Sequence, residues 1–414
     1  MKILQVNCVY HKGSTGKIVA DVHAALKEKG VESLVCYGRG EKVREAGVTK
    51  TCGEFYSDLN HFLTYLNGIM YGGCLLSTNR LISVIKKEKP DIVHLHCING
   101  YFVNIYRIVS WLKKHRIKTV LTLHAEFMYT ANCGHAFECE KWKTGCGNCP
   151  RCKAETRSLF FDRTHTSWQK MAKAFQGFDE DLIVTSVSPW LMQRAKQSPI
   201  LGDKVHTVVL NGLDTEVFHY TDPEPLRKKH GLTDEKIIFH ATPSFNLDPG
   251  HIKGGYYVNA FAKQLIDRNV KVFVAGPYPK NIEVAENLIL LGRISDQSTL
   301  AQYYSLADLT LLTSKKETFS MVTAESLACG TPVVGFRAGA PEQITIPEYS
   351  EFVPYGDIDA LCCASEKQLS VNRDKVVISQ LAAQKYSKEK MTEDYYAVYL
   401  RLLNDKQGEK HESK

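Results

Sequence analysis

The chain has 414 residues, 44% of them hydrophobic and 23% charged, with a net charge of +7. That length is too great for one compact core and suits two domains of about 150–200 residues each. The composition is that of an ordinary globular protein, and no run of apolar residues is long enough to span a membrane. The nearest, "HFLTYLNGIMYGGCLL" at 61–76, is short and broken by His, Asn and Gly.

The first segment, "MKILQVNCVY", reads as a strand rather than a signal peptide, and a cytoplasmic protein is expected. "HKGSTGK" (11–17) follows it and opens an amphipathic stretch, 16–30, with Ile18, Val22, Ala25 and Leu26 at helical spacing. It fails the P-loop pattern, because His11 stands where a glycine is required and Ile18 follows Lys17. Gly16 nevertheless suits a helix N-terminus that a phosphate approaches closely.

Further strands are expected at 33–38, 91–97, 118–124, 182–188 and 205–210. Alternation of strand and helix implies a parallel sheet covered on both faces. Histidines mark its strand ends: His94 and His96 share one face, and His124 closes the fourth strand. Residues 1–215 carry +10 and residues 216–414 carry −3. The basic runs 85–89 and 113–118 lie in the first half, beside apolar helical stretches that include Trp111. They read as solvated helix ends or as a peripheral contact with an anionic membrane. No aromatic-rich strand accompanies them, so nucleic acid is not expected as a partner.

"CGHAFECEKWKTGCGNCPRC" (133–152) holds five cysteines. In a reducing compartment such spacing suits thiolates around a structural zinc, with Cys133, Cys139, Cys146 and Cys149 the leading set and Cys152 a competitor, or else reduced, unliganded cysteines in a loop, rather than disulfides. No deaminase or zincin pattern accompanies them, so the metal would not be catalytic.

After the polar linker 214–235 the alternation restarts, with strands expected at 236–242, 271–276, 288–293, 309–314 and 332–336. Two sheets in series place a ligand beyond the carboxyl ends of the strands, in a cleft between the domains. "KETFSMVTAESLACGTPVVGF" (316–336) then offers Glu317 on a turn and Glu325 inside the next helix. Thr318, Phe319, Ser320 and Met321 form that helix's N-terminus, a natural anion site. Carboxylates at two depths beside an anion site suit hydroxyls on either side of a diphosphate, as in a nucleotide sugar; taken alone, the two glutamates read equally as a capping carboxylate and a solvated helix residue.

This last stretch resembles the E-x7-E signature of the large retaining glycosyltransferase family with GT-B architecture, of the bacterial exopolysaccharide and capsule type. "VVLNGLDTEVF" (208–218), 291–314, "GAPE" (339–342) and 386–403 follow the same habits in order. The resemblance implies two doubly wound, Rossmann-like domains: an acceptor-side domain at 1–215 and a nucleotide-sugar domain at 216–386. A helix at 387–404 would cross back to the first domain, followed by a frayed tail at 405–414. It implies transfer from a nucleotide-diphospho-sugar to a saccharide or lipid-linked saccharide at the inner face of the membrane, with no cofactor required for catalysis. Glu317 would contact the donor sugar near the reacting carbon, Glu325 the ribose, His124 an outer sugar hydroxyl, and Gly16 and Lys253 the diphosphate. The aspartate expected after His124 is absent; Ala125 follows, and Glu126 is a candidate in its place. The arginine expected a few residues before Lys253 is also missing. A sugar-nucleotide epimerase and a non-catalytic, zinc-stabilised scaffold of the same fold are the competing readings.

Overall fold

The computed structural model describes residues 1–404, and the tail 405–414 lies outside the described residues. The chain divides into two compact units, one of Met1–Leu210 with the chain from Met391 onward, the other of Asn211–Lys390.

Unit one is built on seven parallel strands: β1 (Lys2–Asn7), β2 (Glu32–Tyr37), β3 (Val48–Lys50), β4 (Ile92–Leu95), β5 (Thr119–Leu123), β6 (Leu182–Ser186) and β7 (Val205–Val208). Their spatial order is β3-β2-β1-β4-β5-β6-β7. The chain winds outward from β1 in both directions, which leaves a switch point between β1 and β4. Helix α1 (Gly13–Glu28) leaves β1 and packs Ile18, Val22 and Leu26 onto the sheet. Helices α2 (Glu54–Asn67) and α3 (Leu75–Glu88) lie between β3 and β4 in sequence. The helix Lys388–Asn404 contributes Met391, Tyr395, Val398, Tyr399 and Leu402 to the same core.

Unit two repeats the plan with six parallel strands: β8 (Lys236–Ala241), β9 (Val270–Ala275), β10 (Leu288–Gly292), β11 (Leu309–Leu312), β12 (Val333–Phe336) and β13 (Ser350–Val353). The order is β10-β9-β8-β11-β12-β13, so β8 and β11 flank the switch point. The inner strands are buried almost without break, as expected of strands covered on both faces, whereas the edge strands β3, β7, β10 and β13 are largely half-buried. The two parallel doubly wound sheets agree with the fold expected from the sequence. The short edge strands β3 and β13 were not anticipated there.

Candidate active site

The loops after β8 and β11 leave neighbouring strands at the switch point of unit two, and they meet. Lys253 sits at the end of the first loop. Gly254 follows it with φ of +67°, and a Cβ there would lie 2.2 Å from the Thr313 carbonyl oxygen. Only glycine lets this backbone close onto the end of β11. Thr313 Oγ1 then donates to the Lys253 carbonyl at 3.0 Å. Held this way, Lys253 Nζ donates to Glu317 Oε1 at 2.6 Å.

Glu317 is fixed from the other side. Its N–H donates to the Ala338 carbonyl at 3.0 Å, and its carbonyl accepts from Ala340 N at 3.2 Å. The 338–340 turn is braced in turn by the Glu342 carboxylate, which accepts from Gly339 N at 2.9 and 3.1 Å. Both Lys253 and Glu317 remain partly exposed. A half-buried ion pair beyond the strand ends is poised to exchange one partner for a ligand.

The helix Met321–Ala328 begins directly after this pair. Its cap, Ser320, holds φ of +85° and ψ of 85°, and its Oγ accepts from Thr323 N at 3.3 Å. A serine in left-handed backbone is strained, and such strain gathers at functional sites. Phe319 is buried beneath it with its ring 6.5 Å from that of Tyr386, whereas Thr318 and Met321 are half-exposed. Glu325, one turn further on, accepts from the buried Tyr304 hydroxyl at 3.1 Å. Burial, then the nearby Glu325 charge, pushes that hydroxyl's pKa well up, so it stays a donor. Tyr304 and Thr313 escaped the sequence reading, because nothing local marks a buried hydroxyl as a brace. The signal for Gly254 is the pair of glycines that follows Lys253 in the sequence.

In unit one, His124 follows β5 in a buried chain of rings. His96 Nδ1 lies 3.3 Å from His124 Nε2, and His96 Nε2 lies 3.1 Å from Gln5 Oε1. His94 is held by Tyr399 at 2.7 Å and Thr122 at 2.6 Å. Burial lowers all three pKa values, that of His124 to about 4, so the rings are neutral near pH 7. Gly16 lies in the first turn of α1, which begins three residues earlier than the sequence suggests. Its carbonyl accepts from His11 N at 3.1 Å, and a Cβ would sit 3.2 Å from Val9 Cγ2. Close packing of the 9–11 turn therefore gives this glycine a local reason of its own.

Glu126 is engaged within unit one. It is fully buried, accepts from Arg194 Nε at 2.6 Å and from Ala136 N at 2.6 Å, and bonds the Tyr129 hydroxyl. With its oxygens committed to these donors, it anchors the start of the cysteine loop. Cys133, Cys139, Cys146, Cys149 and Cys152 are all free thiols, and among the described residues no three His, Cys, Asp or Glu side chains are grouped to hold a metal. Burial pushes the Cys133 and Cys146 thiols up, Cys146 to about 12.

Residues 15–217 match the family "Glycosyltransferase Family 4", and residues 247–370 match "Glycosyl transferases group 1". The chain is a GT-B glycosyltransferase. Among curated relatives, it is 24% identical to N-acetyl-alpha-D-glucosaminyl L-malate synthase of Bacillus anthracis, over 80% of each chain. It is 23% identical to the putative colanic acid biosynthesis glycosyl transferase WcaC of Escherichia coli, over 97% of this chain and 100% of that protein. Two solved structures at 15% identity share the enzyme's fold. Sucrose-phosphate synthase from Thermosynechococcus elongatus has a TM-score of 0.66 over 97% of this chain and 99% of its own. Anabaena HepE in complex with UDP-glucose has a TM-score of 0.60 over 96% and 99%.

Proposed function

We propose that the enzyme is a retaining hexosyltransferase that uses a nucleotide-diphospho-sugar and acts in surface polysaccharide synthesis. The acceptor is a saccharide or lipid-linked saccharide at the inner, anionic face of the membrane. The observation that carries this reading is the 2.6 Å pair of Lys253 and Glu317 at the start of a capped helix, beside the switch point of unit two. Support for a uridine diphosphate donor comes from the UDP-glucose bound by HepE, and support for the pathway from the name of WcaC.

On this reading the donor diphosphate takes Lys253 from Glu317 and lies against the free N–H groups after Ser320. The bond from the anomeric carbon to the diphosphate breaks while the acceptor hydroxyl attacks from the same face. The acceptor proton passes to the departing phosphate oxygen. Negative charge grows on that oxygen, so a cation and a helix dipole already aimed at it stabilise the transition state more than the ground state. Glu317, released from Lys253, faces the positive charge that develops at the anomeric carbon. Glu325, braced by Tyr304, receives the ribose hydroxyls. With no arginine in residues 240–252 ahead of Lys253, the helix terminus carries a larger share of the diphosphate charge. Gly16 and His124 are assigned to the diphosphate and to an outer sugar hydroxyl on the family resemblance.

The test is incubation with a panel of nucleotide sugars, reading nucleoside diphosphate release with and without a saccharide acceptor. Acceptor-dependent release supports transfer. Release of an epimerised sugar without acceptor would assign an epimerase instead.

A further inference from the structure

Helix α2 is built inside out. Its buried side is polar, with Ser57, Asn60 and Thr64, while Phe55, Leu59, Phe62, Leu63 and Leu66 face outward. Phe55 is 83% exposed and Phe62 54%. A solvated helix carries the reverse pattern, and an outward apolar stripe of this kind marks a surface that something covers.

The stripe is widened on both flanks. Tyr56 and Tyr65, nine residues apart, lie on opposite sides of the helix. Leu76 N donates to the Tyr56 hydroxyl at 3.1 Å, which brings the exposed Leu75 and Leu76 to one edge. Leu159 N donates to the Tyr65 carbonyl at 2.9 Å, which brings a loop of Leu159, Phe160 and Phe161 to the other. Ser158 Oγ donates to the Phe161 carbonyl at 2.7 Å and closes that loop, with Phe160 at its tip, 70% exposed.

Basic groups outnumber carboxylates around this surface, where the exposed Asp162 beside Phe161 accepts from Thr164 N at 2.9 Å. The carboxylates Glu54 and Asp58 are neutralised by Arg39, and Glu54 also by Lys50. Arg80 is exposed one turn beyond Leu76, Arg157 reaches the Tyr65 hydroxyl at 3.4 Å, and the Arg163 guanidinium lies 5.4 Å from the Phe161 ring centre. The basic run at 113–118 is otherwise engaged: Lys113 Nζ donates to the Gln176 carbonyl, Lys118 Nζ to the Leu403 carbonyl, and Arg116 pairs with Glu180.

We propose that α2, the start of α3 and the 159–161 loop dock unit one onto an anionic phospholipid surface. Aromatic and leucine side chains enter the acyl boundary, and Arg80, Arg157 and Arg163 meet lipid phosphates. A second copy of the chain fits less well, because a two-fold interface sets the patch against itself and places its arginines opposite like charges. The inference deepens the lipid-linked-acceptor reading above, but it stands on the surface of unit one alone.

The test is co-sedimentation with vesicles of phosphatidylcholine and of phosphatidylcholine mixed with phosphatidylglycerol. The wild type is expected to prefer the anionic vesicles by about tenfold or more at low salt, and the preference should shrink as salt screens the arginines. A Phe55→Ser, Phe62→Ser, Phe160→Ser variant should lose binding to both vesicles. An Arg80→Gln, Arg157→Gln, Arg163→Gln variant should lose the preference alone. Wild type that ignores anionic vesicles, or an apolar variant that binds as well as wild type, overturns the proposal. So does a wild-type dimer, in sedimentation velocity, that the apolar variant dissociates without any lipid binding. Diphosphate release with a soluble acceptor, run on the same proteins, reads the transfer reaction separately: its failure with intact vesicle binding counts against transfer and not against docking.

Discussion

Lys253 Nζ and Glu317 Oε1 stand 2.6 Å apart, a cation from the loop after β8 held by a carboxylate from the loop after β11. The pair fixes the lysine's ammonium group just ahead of the helix Met321–Ala328. Replacing Lys253 by Met should therefore raise the donor KM by about 10–100-fold, the cost of one or two charge-assisted hydrogen bonds. Steady-state kinetics across donor concentration checks this; an unchanged KM would place the diphosphate elsewhere.

The two glutamates should separate by role. Glu325→Ala is expected to weaken nucleoside diphosphate binding by about 1–3 kcal/mol, because a ribose contact and the partner of the buried Tyr304 hydroxyl are lost together. Tyr304→Phe should reproduce part of that loss. Glu317→Ala should leave the same affinity largely intact. Calorimetric titration decides, and equal losses in Glu317→Ala and Glu325→Ala would dissolve the division.

Ser320 yields a stability ordering in which its left-handed backbone and its place as helix cap point the same way. Ser320→Ala loses the bond to Thr323 N and keeps the left-handed backbone strain. Ser320→Gly loses the same bond but relieves the strain, so it should be the more stable variant by about 1 kcal/mol. Denaturant unfolding of both variants measures the difference.

How much of this was legible in the sequence depended on the range of each interaction. The strands of both sheets could be read because each is a nearly continuous apolar run, and Glu317 and Glu325 because their spacing is local. Edge strands β3 and β13 are short and half-buried, so no run announced them. Glu126 misled for a different reason: its partner Arg194 is 68 residues away, and only the fold shows its carboxylate already committed. The face of α2 could have been noticed, since its apolar spacing is helical. What the sequence lacked was the knowledge that Ser57, Asn60 and Thr64 form the buried side.

Glu126→Ala should accordingly act on stability and not on chemistry. It leaves Arg194 largely buried without its counter-charge, which costs about 3–5 kcal/mol. Limited proteolysis should find 133–152 opened first, because Ala136 N loses its acceptor as well. Glu126→Ala with normal stability and lost turnover would return this residue to the active site.

Acid should weaken unit one. The folded pKa of His124 is depressed to about 4, and those of His94 and His96 lie well below the unfolded value near 6.5. Between those values the unfolded chain binds protons that the fold excludes, so stability is full above about pH 6.5 and falls as pH drops toward 4. His124 alone accounts for about 3 kcal/mol of that loss. All four tryptophans, Trp111, Trp142, Trp168 and Trp190, belong to unit one, so fluorescence-detected unfolding reads it specifically. Stability independent of pH across this window would contradict the buried, neutral chain of rings.

The central claim is that the Lys253–Glu317 site moves a sugar with retention of configuration. The most direct measurement is the anomeric coupling in the glycosylated product by proton NMR, alongside nucleoside diphosphate release, for wild type and Glu317→Ala. Wild type should form a product with the donor's anomeric configuration, one diphosphate per linkage, while Glu317→Ala still binds the nucleotide and makes no product. An inverted product, or full turnover by Glu317→Ala, would contradict it.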